Sequence, residues 1–247
     1  MVRYIYRDLY LEGGVTVALD QEFPRSLILS IHSDPDSEEA MAEELAKIAG
    51  MKNPKPDYIV GSDPDNVPRL GDVPMPGNVR ALLDICQGME TPFLIVEGTQ
   101  DLGSVVEAQD QARRGGATLV NAARMLRATV EELPDIEGPD EKSFVFSFTM
   151  SPEGVEFWVH WYQGPAEKQF FHMNRIATHL LYDYEDIDGI RQKLHNIIEW
   201  GAITRLYERQ CLYDSIRAYA RKVHAKNVAA QTKKGRKRKA DEVEGEF

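Results

Sequence analysis

Cysteine is scarce in this chain: Cys86 and Cys211 are the only two in 247 residues. Two thiols cannot build a zinc site by themselves and give no disulfide framework, so a reducing, intracellular compartment is expected. Long apolar runs are absent too. No stretch approaches the ~20 apolar residues that span a bilayer, and Met1-Val-Arg-Tyr-Ile-Tyr-Arg-Asp8 lacks the apolar region of a signal peptide. Neither a membrane span nor secretion is expected. Positive charge is the third shortage, with 29 Lys and Arg against 40 Asp and Glu and a net charge of −11. Residues 233–239 hold six of the positive charges, and with those six set aside the remainder carries −17. This balance argues against a surface coated for nucleic-acid binding; a nucleic-acid face would be local or assisted by metal ions.

What is present is centred on Pro92-Phe-Leu-Ile-Val-Glu97. Phe93 to Val96 is a continuous apolar run of the kind a fully buried central strand shows. It delivers one carboxylate, Glu97, to its end, and the chain then turns through Gly98 and Gly103 into a helix carrying Gln109, Asp110 and Gln111. Upstream, Lys55-Pro-Asp57 precedes the short run Tyr58-Ile-Val60. An acid at one strand and another at the end of the next can share one side of a sheet. Such a pair is a hard-oxygen site that suits Mg²⁺. Glu97 alone reads more simply as a strand end facing water.

The remaining pattern is that of an α/β domain over residues 1–225 followed by a charged tail, 226–247, expected to be disordered. Val15 to Leu19 reads as one strand of a pair around Gly13-Gly14, and Ser26 to His32 as a strand or buried segment. Residues 36–50 have a helix pattern opened by Asp36 or Ser37, with Glu43 and Glu44 on a face that is either solvated or a source of a third carboxylate. Residues 62–91 form a long Pro/Gly-rich loop between the two candidate metal ligands, placed equally well for a substrate lid or a tolerated insertion. From Ser104 the apolar positions Val105, Ala108, Ala112, Leu119, Val120, Ala123 and Leu126 give a helix, which Gly115-Gly116 is expected to split or kink. Ser143 to Met150 and Val155 to Tyr162 alternate with period two around Ser151-Pro-Glu-Gly154, a hairpin. Phe170 to Met173 adds a strand; His160 and His172 read as structural, because no third ligand sits at a recognisable spacing. Two helical runs follow, from Asp186 and after Gly201.

Near the end, Arg221-Lys222, a ten-residue spacer and Lys233, Lys234, Arg236, Lys237, Arg238 and Lys239 make a bipartite basic cluster. Its expected reading is nuclear import through a receptor with an acidic groove.

The motif order resembles a fungal family of proteins of unknown function assigned to the PD-(D/E)XK nuclease-like fold. The resemblance rests on Lys55-Pro-Asp57, Pro92 to Glu97, Gly103 to Gln111, Val120-Asn-Ala122, Val159-His-Trp-Tyr162, Phe170-Phe-His-Met173, and Asn196 to Gly201 with Arg205. It implies a mixed sheet flanked by helices, in restriction-endonuclease-like architecture, with a helical C-terminal segment. It also implies a Mg²⁺-dependent phosphodiester hydrolase on DNA or RNA, with Asp57 and Glu97 as metal ligands and Asp57, Glu97 and Gln111 as catalytic residues. Thr99 stands where the family pattern has a Lys, so the catalytic half is incomplete. Arg113 or Arg114 is a candidate source of the missing charge. The alternative is a catalytically inactive nuclear binding or scaffold module on the same fold.

Overall fold

The computed structural model describes residues 15–19, 21, 23, 54–63, 82, 85–86, 89–99, 104–131, 139–164 and 170–244, with the backbone alone for Glu90 and 227–244. The segments read as 26–32 and 36–50, including Glu43 and Glu44, lie outside these residues, as does the stretch 64–81 of the Pro/Gly-rich loop.

The apolar run Phe93–Val96 lies in β3, Glu90–Gly98, one of the two middle strands of a six-stranded sheet. The sheet runs in sequence order: β1 (Val15–Leu19), β2 (Tyr58–Ser62), β3, β4 (Val145–Met150), β5 (Gly154–Gln163) and β6 (Phe170–Leu180). Every neighbouring pair is antiparallel except β3 and β4, which are parallel. A parallel pair needs a crossover, and α1 (Val105–Ala128) supplies it. The result is a mixed α/β fold with a helical C-terminal segment, α2 (Tyr184–Trp200), a π-helical turn at Gly201–Arg205, and α3 (Leu206–Glu244).

Burial explains why β3 lacks period-two alternation. Ile95 and Ile59 pack on one face with Leu119, Val120 and Leu126 of α1 and with Leu212, Tyr213 and Ile216 of α3. Leu94, Val96 and Val60 pack on the other with Ile190, Leu194, Ile197 and Ile198 of α2. A strand covered on both faces is apolar at every position, and each such side chain contributes ~1.5–3 kcal/mol by leaving water. Leu82, Ile85, Cys86 and Met89, from the end of the loop, are buried in this core. The hairpin takes the expected positions, and β6 runs on past Met173 to Leu180.

One expectation is corrected. Gly115-Gly116 does not split its helix; α1 is continuous over 24 residues, opened by Ser104, whose Oγ accepts from the Val106 amide at 3.2 Å. The glycines are there for close approach. A Cβ on Gly115 would sit 2.8 Å from Ile95 Cδ1, and one on Gly116 would overlap the His160 imidazole. Their helix penalty is offset by seating α1 directly on β3 and β5. The α3 backbone runs on to Glu244, across most of the charged tail 226–247. Ala, Lys, Arg, Glu and Gln predominate there, and all are good helix formers.

Candidate functional site

Register brings the two acids together. Tyr58 pairs with Val96 and Ile59 with Ile95 in the antiparallel β2–β3 ladder. One step further sets Asp57 across from Glu97, on the face that Ile59 and Ile95 present to α1. Directly opposed residues of this kind have Cβ atoms ~4.5–5.5 Å apart. Asp57 Oδ2 accepts a hydrogen bond from the Gly98 amide at 2.7 Å, which anchors the carboxylate beside the strand end.

Glu97 does not face water. It is 1 % exposed, and among the described residues neither carboxylate oxygen has a side-chain hydrogen-bond partner, the Asp57 backbone amide lying close by. Burial first, and the nearby Asp57 charge second, push its pKa up to about 8. The Asp57 backbone amide and the Arg114 guanidinium of α1 pull it down, but less strongly. Thr99, at the place of the expected Lys, donates its amide to Met150 O at 2.8 Å, and its buried hydroxyl has no partner among the described residues.

The acids belong to a polar row across the sheet. Glu97 pairs with Thr149 on β4, and Thr149 with Glu156 on β5. Glu156 is held firmly: Gln109 Nε2 donates to its Oε2 at 2.5 Å and Arg175 Nη1 to its Oε1 at 2.7 Å. Trp158 Nε1 donates to Thr149 Oγ1 at 3.1 Å. Gln109 is thus an α1 glutamine that reaches Glu156 in this row. Gln111 is half-buried and lies about 200° further round the helix. Sequence reading missed Glu156 and Gln109. The available signals were the shared parity of Glu156 with His160 in the hairpin and the position of Gln109 one helical turn before Ala112.

The histidines are structural, as expected. His160 is buried and bonded to Ser147 Oγ at 2.7 Å. Its pKa is pushed down to about 3, by burial and then by the Arg113 charge, so it stays neutral around pH 7. His172 stacks on Trp161 with ring centroids 4.0 Å apart. Arg221 and Lys222 are exposed on α3, and the side chains of Lys233, Lys234, Arg236, Lys237, Arg238 and Lys239 lie outside the description. Among the described residues no helix is long and apolar enough to cross a membrane. No group of three or more His, Cys, Asp or Glu among them is disposed to hold a metal.

Fold and site together define a mixed-sheet α/β domain with a buried Glu97 carboxylate at the end of a middle strand and a half-buried Asp57 beside it. Residues 16–209 match the model of a family described as a domain of unknown function, DUF7924, and the chain belongs to that family. No curated protein and no solved structure matches it.

Proposed function

We propose that this is a PD-(D/E)XK-like domain acting on nucleic-acid phosphodiesters, with a Mg²⁺ site at Asp57 and Glu97. The observation that carries the reading is the buried Glu97 carboxylate, which has no side-chain partner among the described residues and has a second acid, Asp57, close enough to raise its pKa. A buried carboxylate without a partner either keeps a proton or takes a cation. The donor set fits Mg²⁺: the ion binds through one or two carboxylates and fills its other positions with water and phosphate oxygens. Asp57 keeps Oδ1 for this role while Gly98 holds Oδ2. When bound, the ion would stabilise charge on a phosphodiester during displacement.

The chain's own residues supply the rest. Asp57 and Glu97 hold and orient, and Arg114 contributes the positive field that Thr99 lacks. Gln109 and Arg175 keep Glu156 fixed at the edge of the site. A second reading, a silent nuclear binding module, is favoured by one observation, the uncharged Thr99 side chain at the Lys position. The basic cluster on α3 serves either reading as an import signal. An extended segment is what a receptor groove takes, so the helical backbone there would have to unwind on binding.

Purified full-length chain should cleave single- or double-stranded DNA or RNA when Mg²⁺ or Mn²⁺ is added. Folded Asp57→Ala and Glu97→Ala should each lose roughly a hundredfold or more of that activity, by analogy with the loss of one preorganised electrostatic group. No cleavage by folded wild type, and none gained by Thr99→Lys, assigns the domain to the binding-module reading.

A further inference from the structure

β5 and β6 do not pair in a single register. From Gly154↔Leu180 to Phe157↔Ala177 the partners advance together, but the next pair is Trp158↔Arg175, so Ile176 has no place in the ladder. One extra residue on one strand is a β-bulge, and a slip of one residue exchanges the faces of the side chains beyond it. Had the first register run on, Arg175 would lie opposite Val159 and share its side of the sheet. The bulge moves Arg175 to the side of Trp158 and Glu156, which is also the side of Glu97. Ile176 bears the consequence and is 48 % exposed. Bulges recur beside active sites, where they re-aim a side chain. The side chain re-aimed here is an arginine.

In that position Arg175 is held but not enclosed. Its Nη1 donates to Glu156 Oε1 at 2.7 Å, and its Cζ stands 5.8 Å from the centroid of the Trp158 ring. Both partners are anchored in turn: Gln109 Nε2 donates to Glu156 Oε2, and Trp158 Nε1 to Thr149 Oγ1. Yet the Arg175 side chain is 55 % exposed, and Glu156 takes only part of its donor fork. An ion pair this open to water adds little stability. Stability therefore does not account for a bulge that puts an arginine on this face. A guanidinium oriented by its neighbours and open to solvent is suited to a second anion, and its fork matches phosphate bidentately.

We propose that Arg175 is a substrate-binding residue of the carboxylate site, holding a phosphate of the same nucleic-acid strand to one side of the bond addressed by Asp57 and Glu97. The inference rests on the phosphodiester reading above and gives the strand a direction, across β4 and β5 towards β6. Glu97 pairs with Thr149 and Thr149 with Glu156, so the row crosses two strand spacings, ~10 Å. At ~3.4 Å of axial rise per phosphate, that distance lies within about three nucleotides of the bond. Arg175 thus brings from β6 a positive charge that Thr99 does not bring from the end of β3.

The test uses full-length protein and short end-labelled DNA and RNA oligonucleotides, single- and double-stranded. With Ca²⁺ in place of Mg²⁺ to hold the complex uncut, Arg175→Met should weaken binding roughly tenfold and Arg175→Lys less. Its unfolding midpoint should barely move, because the pair it breaks is exposed. One neutral methylphosphonate at a fixed place in the strand then locates the contact. With Mg²⁺, wild type should leave a gap in the cleavage ladder on one side of it, within about three nucleotides. The Arg175→Met ladder should show no such gap, an effect that a merely structural role would not produce. Wild type that neither binds nor cuts any of the oligonucleotides overturns the phosphodiester reading and the Arg175 contact with it. Arg175→Met that binds as wild type does, or keeps the wild-type gap, overturns the Arg175 contact alone.

Discussion

Glu97→Gln should stabilise the cation-free protein at alkaline pH by on the order of 5 kcal/mol and change little at pH 4. The folded-state pKa of Glu97 is raised from an ordinary 4.5 to about 8. Below pH 4.5 the side chain carries its proton in both the folded and the unfolded chain, so its contribution is fully present. Between 4.5 and about 8 the unfolded chain ionises while the folded chain keeps its proton. Stability therefore falls as pH rises through this window and is fully lost above about 8. At ~1.4 kcal/mol per pH unit, that interval amounts to ~5 kcal/mol. Glutamine keeps the shape and removes the titration. Urea unfolding in a chelating buffer at pH 5, 7 and 9 should show the two proteins diverging steadily. Parallel pH profiles would mean that Glu97 ionises freely and is not buried as described.

The opposite effect is expected at the other end of α1. Asp140→Ala should destabilise the protein by ~3–5 kcal/mol, because it leaves the Arg127 charge buried without its partner. Arg127 Nη1 donates to both Asp140 oxygens at 2.9 Å, with the two side chains 10 % and 4 % exposed. The Asp140 backbone is held independently, its amide donating to the Tyr162 carbonyl at 3.1 Å, so the loss falls on the side-chain pair. Adding Arg127→Met to Asp140→Ala should recover much of the stability, since a buried pair replaced as a whole by apolar atoms is often close to neutral. Denaturant midpoints for the two single variants and the double variant form the cycle. Additive losses would show that the two residues do not act as a pair.

Much of the scaffold was legible in the residues because burial writes itself into them. Phe93 to Val96 is apolar at every position because helices cover both faces of β3, and the hairpin alternates because β4 and β5 set successive side chains on opposite faces. Glu97 at the strand end and Asp57 before β2 were legible as acids, but their opposition needed the β2–β3 register, which no local pattern specifies. Gly115-Gly116 misleads for a related reason. Helix propensity counts each glycine as a break, whereas what fixes them is the proximity of Ile95 and His160 from separate strands. That Gln109 reaches Glu156 required knowing how α1 sits on the sheet. The burial of Arg127, Arg205 and Arg209 was not legible, because a buried arginine looks the same in sequence as an exposed one.

The central claim is that Asp57 and Glu97 form one cation site, and proton-linked calorimetry tests it most directly. Mn²⁺ titrated into the full-length protein at pH 7, in buffers of different ionisation heat, should bind and release about one proton per ion. Glu97 is mostly protonated at that pH and must ionise to become a ligand. Proton release should fade by pH 9, and Glu97→Gln and Asp57→Asn should each abolish saturable binding. Absence of binding by folded wild type, or binding with no proton release that both variants retain, would contradict the account.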